Sequence, residues 1–362
     1  MTKTMWPIAG LVSTFALLWA ACQHPSEPTP KAAVAAPQTP KRSPQKWDEG
    51  ESLAAVAREH RLGTPGPAMT LKTIDGETID LAKLYGTKPV YLKFWATWCI
   101  PCREQMPAFE RIYEAAGDRM QVIAINAGFS DDEAEVRAFR EQYGLRMPIV
   151  IDDGRLAAAL DLQVTPQHVL IGRDARIAYV GHRDGDPLDE AIQKVLAAPG
   201  PSGSTTGQAV VVRPAFRPGD LVQGLQATTS DGTAVALGPS RDGRRRGLVF
   251  FSTWCEGYLA TSRPKTSQAC RRVRDEVDRL AATGDIEWIG IAGGPWSAAK
   301  DVAAYQAKTK TKIPVALDAD GALFRAFGVR QIPTVVLLDA GGRMVRLIGP
   351  DDHDLASAVR AR

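Results

Sequence analysis

The hexapeptide Phe94-Trp95-Ala96-Thr97-Trp98-Cys99 returns in altered form as Phe250-Phe251-Ser252-Thr253-Trp254-Cys255. Its surroundings return as well. Pro65-Gly66 followed by Asp75-Gly76 is echoed by Pro218-Gly219 followed by Asp231-Gly232, and Gly154 stands twelve residues before Pro166 as Gly321 does before Pro333. Self-similarity of this kind implies an internal duplication, so the chain must fold as two versions of one plan. Its 362 residues suit two domains, and 44% hydrophobic with 23% charged residues supplies two ordinary cores.

Each copy has the same order of elements. A hairpin turns at Asp-Gly. A buried strand follows (90–94 or 248–251) and ends at a cysteine that opens a helix. A second strand (121–125 or 287–291) and a second helix (132–143 or 298–308) come next. Thr165-Pro166 or Ile332-Pro333 then precedes a strand (169–171 or 334–338), a turn, another strand and a last helix. Strands alternating with helices predict an α/β fold, each copy a central mixed sheet covered by helices on both faces. The expected domains are 62–198 and 214–362. The Pro/Gly/Ser/Thr-rich stretch 199–213 is the linker between them.

The N-terminus reads as an export signal. Lys3 precedes an uncharged apolar run, 5–21, the length of a signal-peptide core and short for a bilayer span. The run ends Ala20-Ala21-Cys22, which is similar to the bacterial lipoprotein signal, in which the cysteine is lipidated and becomes the new N-terminus. Trp19 stands where that signal usually has Leu. The expectation is a leader over 1–21, a lipid on Cys22, and a tether over 22–61 that is rich in Pro and Ala and ends in a short helix at 49–60. Gln23 in place of Asp points to the outer rather than the inner membrane. A net charge of +3 singles out no partner. The runs Arg244-Arg245-Arg246 and Arg271-Arg272 read as basic surface, with no stripe for a nucleic acid.

Five cysteines leave one unpaired in an exported chain. With Cys22 lipidated, the other four form the candidate pairs Cys99/Cys102 and Cys255/Cys270. Cys99 lies where unpaired backbone N–H groups and the helix dipole favour a thiolate. Pro101 suits the first helical turn. Cys102 is one turn on and can resolve a mixed disulfide on Cys99. The expected roles are an exposed nucleophile, Cys99, and a more buried resolver, Cys102. A zinc site would need two further ligands at fitting spacing, and the five histidines supply none, so no metal and no cofactor is expected.

The run from Phe94 through Cys99-Ile100-Pro101-Cys102-Arg103 to Met106-Pro107 resembles the TlpA/ResA group of thioredoxin-like oxidoreductases. The resemblance implies a thioredoxin-like fold in both copies and a membrane-tethered reductant in the periplasm. It would act on disulfides of partner proteins, with an upstream thiol reductant. It also implies a cis-proline facing the dithiol, for which Thr165-Pro166 fits, and a supporting role for Trp98. Two positions depart from the pattern. Where many members have a glutamate in the active-site helix this chain has Gln105, with Glu104 beside it. Where thioredoxin has a buried acid six residues before the first cysteine, this chain has Lys93, either a partly buried ammonium favouring a thiolate or a snorkelling edge residue.

The second copy lacks C-x-x-C, yet Cys270 stands 63 residues before Pro333, much as Cys102 stands 64 before Pro166. Cys270 therefore falls at the resolver's position, with an insertion separating it from Cys255. On one continuous helix the two sulfurs would lie roughly 22 Å apart. Gly257, Pro264 and the Ser/Thr residues between them predict a loop that brings the pair into a disulfide, as a structural staple or as a second redox pair beside Pro333. A peroxidase role for Cys255 is disfavoured by resemblance, since Leu248 stands seven residues upstream where that family has a proline. Other functions open at this point are soft-ligand copper delivery, and a relay or chaperone with a non-catalytic second domain.

Overall fold

The structure is a computed structural model that describes residues 44–201, 206–211, 214–240 and 242–360. The expected leader over 1–21, Cys22 and the tether as far as residue 43 lie outside the described residues. No helix among the described residues is long and apolar enough to cross a membrane.

Helix α1 (Pro44–Arg61) leads into strand β1 (Pro67–Ala68) and the hairpin β2 (Thr70–Lys72) with β3 (Thr78–Asp80), which turns at Asp75-Gly76. The short helix α2 (Leu81–Leu84) follows, capped by Asp80. Strand β4 (Val90–Trp95) is buried at every position and runs into helix α3 (Ile100–Ala116). Next come β5 (Gln121–Asn126), helix α4 (Glu133–Tyr143), β6 (Ile149–Ile151), helix α5 (Arg155–Ala159), β7 (Gln167–Ile171), β8 (Ile177–Gly181) and helix α6 (Asp186–Ala197).

The sheet order is β6-β5-β4-β7-β8, with β4, β5 and β6 parallel and β7 antiparallel to β4. The two β-α-β steps move the same way across the sheet. Right-handed crossovers therefore put α3 and α4 on one face. Tyr91 and Trp95 of β4 meet Met106, Phe109 and Phe139 there. Leu92 and Phe94 pack on the other face with Ala57, Leu81, Leu156 and Leu160.

The short strand β9 (Gln208–Ala209) lies inside the expected linker and pairs in parallel with β1 of the first domain. The second domain then repeats the plan. Its hairpin is β10 (Gln226–Thr228) with β11 (Ala234–Ala236), turning at Asp231-Gly232. Strand β12 (Arg245–Phe251) precedes helices α7 (Cys255–Ser262) and α8 (Pro264–Ala281). There follow β13 (Ile286–Gly293), helix α9 (Ala299–Thr309), β14 (Val315–Asp318), helix α10 (Ala322–Ala326), β15 (Thr334–Leu338), β16 (Met344–Ile348) and helix α11 (Leu355–Arg360). The order β14-β13-β12-β15-β16 matches the first sheet strand for strand. Both domains are thioredoxin-like.

The duplication extends to polar detail. Asp152 accepts from Leu156 N and Ala157 N at the start of α5, and Asp318 accepts from Leu323 N and Phe324 N at the start of α10. Burial raises both carboxyls to about 6. Gly154 (φ 93°) and Gly321 (φ 67°) precede those helices in the left-handed region, which admits glycine without strain.

Three expectations need correction. The segment between Cys255 and Cys270 is not a loop but two helices broken at Arg263. Pro264 takes the first position of α8, where its missing N–H is harmless, and its ring prevents α7 from continuing. Gly257 is tolerated inside α7. The Arg244–Arg246 run is not wholly surface, because Arg246 is buried against Glu287 (2.7 Å) and the carbonyls of Ala236 and Gly238. Lys93 is no edge residue. It sits in the central strand, paired with Ala124 on one side and His168 on the other, and is 1% exposed.

Candidate active site

Strand β4 ends at Trp95, and Ala96-Thr97-Trp98 turn the chain so that Cys99 caps α3. Cys99 and Cys102 form a disulfide, with Cα atoms 5.2 Å apart. The Cys102 N–H points at Sγ of Cys99 (3.2 Å), which in the dithiol form stabilises a thiolate on Cys99 rather than on Cys102. Pro101 lies in the first turn of α3, where no intrahelical bond is lost. The Thr165–Pro166 peptide is cis, and the Thr165 carbonyl oxygen is 3.3 Å from Sγ of Cys99. Trp98 donates its indole N–H to Phe129 O.

Behind the cysteines lies a buried polar cluster. The Lys93 ammonium sits over the Phe109 ring, 5.0 Å from its centroid. Burial lowers this amine to about 7, opposed by the charge of Asp184. Tyr91 Oη and His168 Nδ1 are 2.7 Å apart. Burial holds His168 well below its usual range, helped by Lys93. Gln105 is fully buried and donates to His182 O (3.0 Å), while His182 Nδ1 donates to Pro166 O (2.7 Å). An amide cannot accept the proton that a glutamate could. Glu104, its neighbour on α3, is half-buried.

The expected contrast between an exposed Cys99 and a buried Cys102 is absent: both are 0% exposed. The reason is the second domain, which lies on this face. Trp254 packs on Trp98 with ring centroids 4.8 Å apart. Tyr258 Oη accepts from Ile100 N (2.9 Å). Trp296 donates from Nε1 to Thr165 O (3.1 Å) and from its backbone N to Gln163 O (3.0 Å). Arg263 donates to Asp131 Oδ1 (2.7 Å), Thr97 Oγ1 (2.5 Å) and Ser130 O (2.7 Å). Asp131 is buried and also accepts from Asn126 Nδ2 and Thr97 N. Burial raises its carboxyl, and these hydrogen bonds and Arg263 oppose that rise.

Tyr258, Arg263 and Trp296 escape sequence reasoning because their partners lie more than 100 residues away. Their local signals are the insertion that holds Tyr258 and Arg263, and an indole in the turn sequence Gly293-Gly294-Pro295-Trp296.

In the second domain Cys255 and Cys270 form a disulfide between α7 and α8, with Cα atoms 6.4 Å apart. Cys255 is fully buried and Cys270 is 6% exposed. Cys270 lines a small apolar cavity with Pro333, whose peptide with Ile332 is also cis. Trp254 donates its indole N–H to Pro295 O, the counterpart of the Trp98 bond.

Comparison with known proteins places this geometry. Residues 62–180 match the AhpC/TSA family and residues 206–361 match Redoxin. The thiol-disulfide oxidoreductase ResA of Bacillus cereus is 30% identical over 149 residues, 40% of this chain and 84% of that protein. The chain belongs to the ResA family of thiol–disulfide oxidoreductases. Another relative, thioredoxin-like protein YneN of Bacillus subtilis, is 40% identical over 105 residues. That match spans 29% of this chain and 61% of YneN, less than two thirds of its length. A crystal structure of a thiol:disulfide interchange protein of the thioredoxin family from Chlorobium tepidum is 24% identical. It covers 37% of this chain and 97% of its own, with a TM-score of 0.33. In this ResA-family chain, the Cys99–Cys102 disulfide stands at the start of α3.

Proposed function

We propose that the protein is exported, held at a bacterial membrane by a lipid on Cys22, and reduces disulfides of partner proteins in the periplasm through Cys99. One observation supports the exchange chemistry in this reading: Cys99 and Cys102 are disulfide-bonded at the start of α3, with the Cys102 N–H directed at Sγ of Cys99. In the reduced protein the Cys99 thiolate attacks a partner disulfide. One partner sulfur leaves as a thiolate and a mixed disulfide forms. Cys102 then attacks Sγ of Cys99 and releases the second partner thiolate, leaving Cys99–Cys102 oxidised. An upstream dithiol returns the two electrons. Trp98, Pro101, Thr165 and Pro166 frame the exchanging sulfurs, and Lys93, Glu104 and Gln105 tune them from α3 and β4. The apolar run 5–21 ending at Cys22 supports export and anchoring, with Gln23 favouring the outer membrane.

Insulin reduction by the purified protein tests the chemistry. Cys99→Ser is expected to lower turnover at least a hundredfold. Cys102→Ser is expected to accumulate mixed disulfides on Cys99. Unchanged turnover in both variants would remove the assignment. Labelling with palmitate in a bacterial host, lost in Cys22→Ala, tests the anchor.

A further inference from the structure

A disulfide is opened by a thiolate that meets one sulfur in line with the S–S bond, so the two sulfurs must come into contact. No thiolate can reach a sulfur with 0% exposure, and both Cys99 and Cys102 are in that state. What covers them is contributed by the second domain.

Two backbone groups flank Cys99, and both are occupied from across the interface. The Thr165 carbonyl, in contact with Cys99 Sγ, accepts from Trp296 Nε1, and the Ile100 N–H, an otherwise unpaired donor at the start of α3, is taken by Tyr258 Oη. While they are so occupied, neither group is open to an incoming polypeptide.

Trp296 holds its position at φ 66°, in the left-handed region that bulky side chains rarely occupy. The indole so held donates to the Thr165 carbonyl that touches Cys99 Sγ. Arg263 fastens the arrangement. It stands at the break between α7 and α8 and is paired with the buried Asp131. The insertion separating Cys255 from Cys270 therefore builds the covering: it supplies α7 with Tyr258 and then Arg263.

We propose that the α7–α8 hairpin and Trp296 form a built-in gate over the Cys99–Cys102 disulfide, which must lift before any partner sulfur can react. This rests on Cys99 being the exchanging sulfur. The gate lowers reactivity toward every thiol, and toward bulky protein thiols most.

The test uses the full-length oxidised protein and needs no partner. Excess glutathione is added, samples are quenched with a maleimide, and labelling of Cys99 and Cys102 is followed by peptide mass. Trp296→Phe keeps an aromatic side chain but loses the N–H and the second ring of the indole, Tyr258→Phe loses the hydroxyl, and Arg263→Gln loses the ion pairs with Asp131 and Glu135. Trp296→Phe and Arg263→Gln are each expected to speed labelling at least fivefold, and the double variant at least twentyfold. Equal or slower labelling in the folded double variant overturns the gate. If melting shows that Arg263→Gln is unfolded, the pair Trp296→Phe/Tyr258→Phe decides by the same criterion. Insulin turnover is read separately. A failed gate leaves turnover intact, and a protein inactive on insulin still shows whether its disulfide is gated.

Discussion

At the scale of single residues, Lys93 is the position where the environment most opposes the side chain. Its amine is held near 7 in the fold against an ordinary value of 10.5. Between those two values the unfolded chain binds the extra proton, so this residue makes stability rise with pH from about 7 to about 10.5. Below 7 its cost is full and constant. Lys93→Met is therefore expected to stabilise the protein by on the order of 3 kcal/mol at pH 7, measured by urea unfolding, with the gain shrinking toward pH 10.5. A gain independent of pH would show that the lysine stays charged. The sequence marked Lys93 as unusual but left its burial open, because β4 is known to be the central strand only once β5 and β7 are seen on either side. The cysteine pair was legible because its chemistry is local, confined to one turn of helix and the strand before it. Gln105 and Asp131 were harder to read, since the groups that hold them come from other parts of the fold.

At the scale of elements, the two helix-opening cysteines have diverged. In the first domain a single helix carries both. In the second, Pro264 breaks the path and the disulfide ties α7 to α8 across the break. Closing a loop of this length restricts the unfolded chain by about 3 kcal/mol. The double variant Cys255→Ser/Cys270→Ser is expected to lose about that much stability while retaining its secondary structure by circular dichroism. Loss below 0.5 kcal/mol would mean that α7 and α8 hold together by packing alone. Most of the order of strands and helices was readable from repeated motifs, and the hairpins from their Asp-Gly turns, but the edge strands β6 and β14 and the short helices α5 and α10 were missed because each is only three to five residues long. The form of the insertion was not, because Gly257 and a run of Ser and Thr weaken a helix without forbidding it, and only Pro264 sets a firm boundary.

For the whole molecule, the interface between domains is continuous with their cores. Trp98, Phe129 and Cys99 share one apolar cluster with Phe250, Cys255 and Phe324, and the described residues form one compact unit. The unit is expected to melt in a single calorimetric transition. Asp131→Ala removes the buried one of Arg263's two carboxylate partners, leaving only Glu135, and strips Thr97 and Asn126 of their shared acceptor, a loss of about 3 kcal/mol. It is expected to split that transition into two, one per domain; a single sharper or unshifted peak would contradict the coupling. None of this was readable from the repeat, which reveals that two domains exist and nothing of which faces meet.

The pairing of β9 with β1 bears on how partners gain access. Gln208 and Ala209 are fastened to the first domain, and Phe216 N donates to Ala326 O of the second. The chain between these anchors spans about 25 Å at full stretch. When the second domain lifts away it therefore remains at an effective concentration on the order of millimolar around the face it has left. Every partner must compete with that tethered occupant. Those that bind weakly lose the competition at ordinary cellular levels, so a short leash selects substrates by affinity without recognising any of them.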